Sequence, residues 1–134
     1  MGLFIAFTSV KNVALAGLLG FMALFANAEI YTPWHNNVAV SGYDAVSYFT
    51  EHHAVKGRAE FMAEYQQAQW HFSSQSHLDL FIESPEKYAP QFGGHCANGL
   101  SDGHKVAADP ENWRIIHDKL YLFYSKWGRE QWAD

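Results

Sequence analysis

Apolar and polar residues follow two different periods along this chain, and the switches between them divide it into short elements. From Ala68 to Ser73, the residues Ala68, Trp70 and Phe72 alternate with Gln69, His71 and Ser73, the period of two expected of a half-buried strand. Together with the stretch from Ala59 to Tyr65 it predicts a hairpin, with His71 turned away from the Trp70 side. Ser73-Ser74 then offers an N-cap, and Leu78, Phe81 and Ile82 recur at helical spacing until Ser84-Pro85 ends the helix. His77 stands one turn before Phe81. A second hairpin is predicted from Trp113 to Ile116 and from Leu120 to Tyr124, turning at His117-Asp118-Lys119, with Ser125 capping a last helix that carries Trp127 and Trp132.

The connecting stretches read as turns and caps. Residues 29–41 form an extended lead-in, and Asp44 can cap a short helix that points Ala45, Tyr48 and Phe49 inward. Thr50 to Gly57 is a loop with the adjacent pair His52-His53, and Pro85 to Pro90 and Asp109-Pro110-Glu111-Asn112 are turns. Gly93-Gly94 breaks regular structure ahead of Cys96-Ala97-Asn98-Gly99-Leu100, a short helix ended by Ser101-Asp102-Gly103. Helices and hairpins alternate without the spacing of βαβ units. The fold class is therefore α+β, a small antiparallel sheet of hairpins with short helices packed on it. No internal repeat stands out in the sequence.

The first 28 residues differ in kind. Met1 to Phe25 is apolar apart from Lys11 and a few small polar residues, and it closes on Ala26-Asn27-Ala28 before Glu29. This reads as a signal peptide over residues 1–28, with one domain over 29–134. Localisation is then periplasmic or secreted through the general secretory pathway, with no membrane insertion once the signal is cut. Cleavage removes one lysine and no acidic residue, moving the net charge from −5 to −6. That balance disfavours phosphate backbones, and with them nucleic-acid partners. A domain this aromatic, at 16% Phe, Trp and Tyr, fills its core without needing disulfides, which a single cysteine cannot form internally.

That cysteine carries the candidate chemistry. At the start of a short helix the backbone dipole favours a thiolate at Cys96, whereas on a helical stripe with Phe92 and Leu100 the same residue is a buried core thiol. All eight histidines lie beyond residue 28. Thiolate and imidazole together suit copper or zinc, so Cys96 and His95, completed by His104 or His77, form the expected metal site. A second reading is a non-catalytic binding module for a partner protein or small ligand, lined by Trp34, Tyr43, Tyr48, Trp70 and Trp113, with Cys96 in the core. A third is a thiol enzyme, with Cys96 as nucleophile, His95 or His104 as base and Asp102 or Asp109 as orienter.

Two stretches resemble a known family. Gly42-Tyr43-Asp44-Ala45-Val46-Ser47-Tyr48-Phe49, and then Trp70-His71-Phe72-Ser73-Ser74 with His77, Phe81 and Pro85-Glu86-Lys87-Tyr88, look like a YHS domain. The later Gly93-Gly94-His95-Cys96-Ala97, Asp109-Pro110 and Lys119-Leu120-Tyr121-Leu122 resemble the exported single-domain YHS proteins of bacteria. The resemblance implies binding of a heavy metal such as copper, through cysteines in relatives that are fused to copper-transporting ATPases. Carried over by position, those cysteines fall on Ser47, Ser73 and His77, so one of the three is replaced by a good transition-metal ligand. His95 and His104 stand where many members of the exported subgroup have an aromatic residue. His117-Asp118 replaces the usual Asp-Gly of the last hairpin.

Overall fold

A computed structural model describes residues 29–132, so the expected signal peptide lies outside the described residues. A 3-10 turn at Ala39–Gly42 leads into helix α1 (Ser47–Thr50). Strands β1 (Arg58–Tyr65) and β2 (Ala68–Phe72), helix α2 (Gln75–Glu83) and the single turn α3 (Pro85–Tyr88) follow. A second 3-10 turn, Gln91–Gly94, precedes α4 (Ala97–Ser101), strands β3 (Asp109–Ile116) and β4 (Lys119–Phe123), and α5 (Lys126–Glu130). The class is α+β, with two separate two-stranded antiparallel sheets, β1-β2 and β3-β4.

Each hairpin turns on two left-handed residues, Gln66-Gln67 (φ 49° and 63°) in the first and His117-Asp118 (φ 49° and 62°) in the second. Consecutive positive φ values are what a two-residue type I′ turn requires, because its twist matches that of the paired strands. The registers correspond pair for pair: Met62 to Tyr65 face His71 to Ala68, and Trp113 to Ile116 face Leu122 to Lys119. Both hairpins then shift register, before Arg58↔Phe72 in one and before Asp109↔Phe123 in the other. The stretch expected to be a turn at Asp109-Pro110-Glu111-Asn112 is this irregular segment inside β3. Asp109 accepts hydrogen bonds from the Glu111 N–H (2.9 Å) and the Asn112 side chain (3.1 Å), satisfying groups that the strand ladder leaves out.

The main core joins both hairpins. Trp70, Phe72 and Phe81 stack through ring contacts of 4.9–5.0 Å beneath Tyr48, Val46 and Leu78, and Leu120 and Leu122 of β4 complete it. The alternation read from Ala68 to Phe72 holds, with the three apolar residues buried and Gln69 and His71 half-buried. Helix α2 turns Leu78 and Phe81 inward, but Ile82 is exposed, because one of two adjacent residues on a nine-residue helix falls off the buried stripe. Cys96, Ala97 and Phe123 form a second, smaller cluster with Phe92, Val106, Tyr121 and Trp132 around it. Tyr48 ties the two halves together: its hydroxyl donates to the Pro110 carbonyl at 2.8 Å and its ring meets Trp113 edge-on.

Candidate functional site

The site forms where α1, the end of β2 and the first turn of α2 meet around one carboxylate. Asp44 has no exposed surface. Its Oδ1 accepts from the N–H groups of Val46 (2.9 Å) and Ser47 (3.3 Å), starting α1. Its Oδ2 accepts from the Ser73 N–H (2.9 Å), the Ser73 hydroxyl (2.6 Å) and His77 Nδ1 (2.7 Å). Burial pushes the Asp44 pKa up, but the Ser73 hydroxyl and N–H and the His77 imidazole outweigh it, and the net displacement is downward. The buried group is therefore an ionised carboxylate stabilised by donors.

His77 reaches this position because Ser74 caps α2 by accepting from the His77 N–H at 3.2 Å, which places residue 77 on the inner side of the first turn. In the neutral tautomer whose Nδ1 donates to Asp44, Nε2 is the nitrogen with the lone pair. Nε2 lies 3.4 Å from the Thr50 hydroxyl and 3.7 Å from Glu51 Oε1, whose side chain is 43% exposed. The Ser47 hydroxyl is buried beside this cluster without a hydrogen-bond partner.

Residues 46–92 match the family model of the YHS domain. Neither the curated proteins nor the solved structures contain a match to the chain. The YHS segment holds Ser47, Ser73 and His77, the three positions at which the resemblance places metal-binding cysteines, and the fold gathers them around Asp44 just outside the match. Of the four residues expected to bind metal, only His77 lies within the YHS segment. Cys96 is 4% exposed in the second cluster, where its Sγ accepts from the Tyr124 N–H at 3.2 Å. His95 is 9% exposed, stacks edge-on against Tyr31 and hydrogen-bonds the Glu29 backbone, leaving Nδ1 buried without a partner. Burial, and then Lys105, lower its pKa against the opposing effect of Glu29. His104 is exposed.

Among the described residues, no three His, Cys, Asp or Glu side chains converge as a metal-binding group, so Cys96, His95, His104 and His77 are not gathered into one ligand set. What the fold places in contact instead is His77 and the buried Asp44, 2.7 Å apart, with Glu51 Oε1 3.7 Å from the opposite ring nitrogen. Asp44 carried a signal in the sequence, since it was legible as a cap, but capping used only one of its two oxygens. The five aromatic residues considered as a groove differ in exposure: Tyr48 and Trp70 are core, Tyr43 and Trp113 are half-buried, and Trp34 is 97% exposed. A depression of about 560 Å³ lined by Glu29, Ile30, Thr32, Asn37, Gln66, Gln67 and Ala68 contains none of the expected ligands.

Proposed function

We propose that this protein binds a transition metal, copper or zinc, after export, and that His77 is the principal ligand. One observation carries the reading. Asp44 Oδ2 accepts a hydrogen bond from His77 Nδ1 at 2.7 Å, the carboxylate–histidine arrangement that orients an imidazole toward a metal at its other nitrogen. Glu51, 3.7 Å from that nitrogen, supplies an oxygen donor near the surface, and the Thr50 hydroxyl lies 3.4 Å from the same nitrogen. The donor set fits a metal only in part: with serine at positions 47 and 73 it lacks the thiolates that hold copper(I) tightly. Two protein donors with further positions left to solvent or a partner suit an exchangeable ion better than a structural one. A bound ion here would act as a Lewis acid or as cargo for transfer.

Native mass spectrometry with added copper or zinc tests this. Wild type and Cys96→Ser take up one ion, and His77→Ala takes up none. Absence of uptake by wild type, or equal uptake by His77→Ala, refutes the assignment. For export, amino-terminal sequencing of the protein recovered from outside the cytoplasm is expected to begin at Glu29. A chain that retains Met1 refutes cleavage.

The second reading, a partner- or ligand-binding module without a metal, is favoured by the burial of Cys96. It predicts an unaltered metal-free protein under the same titration.

A further inference from the structure

The two halves share more than a hairpin. The 3-10 turns at Ala39–Gly42 and Gln91–Gly94 each contain two left-handed residues, Val40 and Ser41 (φ 54° and 51°) and Phe92 and Gly93 (φ 58° and 65°), and each ends on a glycine at φ 82°. A β-branched residue at positive φ is a costly conformation, so the recurrence of this turn is not a generic loop preference. The residue after each turn makes an isolated antiparallel bridge, Tyr43↔Lys56 and His95↔Ala107. The next residue donates its N–H to a valine carbonyl at 2.8 Å in both cases, Asp44 to Val55 and Cys96 to Val106. The hairpins follow with the same lengths, the same register and the same shift. Each hairpin then leads into a serine N-cap, Ser74 accepting from His77 and Ser125 from Gly128.

We infer that residues 90–132 are a second copy of the unit that begins near Val38 and carries the YHS match, and that Cys96 is the counterpart of Asp44. The correspondence runs at an offset of 52 residues up to Asp44 and Cys96 and of 51 through the hairpins, a difference of one residue in the intervening loop. It pairs Gly42 with Gly94, Ala45 with Ala97, Val55 with Val106, Phe72 with Phe123 and Ser74 with Ser125, all unchanged. Ser73 and His77 correspond to Tyr124 and Gly128. The Tyr124 N–H donates to Cys96 Sγ at 3.2 Å where the Ser73 N–H donates to Asp44 Oδ2 at 2.9 Å. Cys96 is thus the weaker acceptor that ties the end of the strand to the entry of α4 in a copy that lacks the hydroxyl and imidazole donors. A Cβ at Gly128 would meet Asn98 at 3.7 Å and the Ser125 hydroxyl at 3.8 Å, ordinary contact distances. The inference does not depend on metal binding.

A double-mutant cycle on the full chain tests it, with Cys96→Asp as one arm and the pair Tyr124→Ser and Gly128→His as the other. Cys96→Asp alone buries a carboxylate that lacks two of the donors available to Asp44, and it lowers the melting temperature. If the positions correspond, adding the pair restores those donors, and the triple variant melts about 4 °C or more above the additive expectation. Additivity of the two arms overturns the inference. Should the variants fail to fold, amide exchange on the wild type decides. The amides of Cys96 and Tyr124 are then expected to be protected to the same order as those of Asp44 and Ser73, and exchange about a hundredfold faster at the former pair overturns the correspondence.

Discussion

His77 Nδ1 lies 2.7 Å from Asp44 Oδ2, and this contact joins residues 33 positions apart in the sequence. It makes an α2 side chain the orienting partner of a carboxylate that also starts α1. Five donors converge on that carboxylate, so it is at once the stabilising centre of the first unit and the means by which an imidazole nitrogen is held toward Glu51.

Removing the carboxylate is expected to be among the most damaging single changes. Asp44→Ala leaves the Ser73 N–H, the Ser73 hydroxyl and His77 Nδ1 buried without their acceptor. A loss of about 3 kcal/mol or more follows from stranding several donors in the interior. Asp44→Asn, which keeps an acceptor oxygen, loses less. Urea denaturation followed by tryptophan fluorescence checks the order.

Stability should also depend on pH through His95. Its folded pKa lies below the usual 6.5 because burial and then Lys105 disfavour the charged ring, with the Glu29 backbone and carboxylate opposing. The unfolded chain therefore binds the proton more readily, so the contribution of His95 is complete above about pH 6.5 and falls away as pH drops through the lowered folded value. Tyr31 meets its ring edge-on, with centroids 5.3 Å apart. Melting temperature measured from pH 7.5 to pH 5 is expected to fall, and His95→Phe to flatten the slope in that interval. An unchanged slope contradicts this account.

Cys96 should be silent to thiol reagents while the chain is folded. At 4% exposure, within a cluster of Ala97 and Phe123, its sulfur is out of reach of a disulfide reagent in buffer and reacts fully in denaturant. Rapid reaction with the native protein would instead revive the thiol-enzyme reading.

Gly57 is predicted to accept no side chain. A Cβ at this position would lie 2.5 Å from the His71 carbonyl carbon and 2.6 Å from its oxygen, at the place where β1 begins against β2. Gly57→Ala must push the strands apart, with a loss of about 2 kcal/mol, in the range of overpacked interiors. Gly103→Ala is the comparison: its added Cβ meets nothing within 4 Å, and only its φ of 84° opposes the change.

Local order along the chain was enough to determine the α+β class, the two hairpins, the serine caps at Ser74 and Ser125 and the apolar face from Ala68 to Phe72. Each of these depends on residues a few positions apart, where periodicity and capping act directly. Tertiary structure alone decided which histidine meets which acid. The convergence of Asp44, Ser73 and His77 depends on chain reversal through β1 and β2, which no local pattern encodes. The same reason hides the repeat. Backbone hydrogen bonds and left-handed turns recur between the halves, but most of the side chains that would reveal them in sequence have been exchanged, because each half packs against different neighbours.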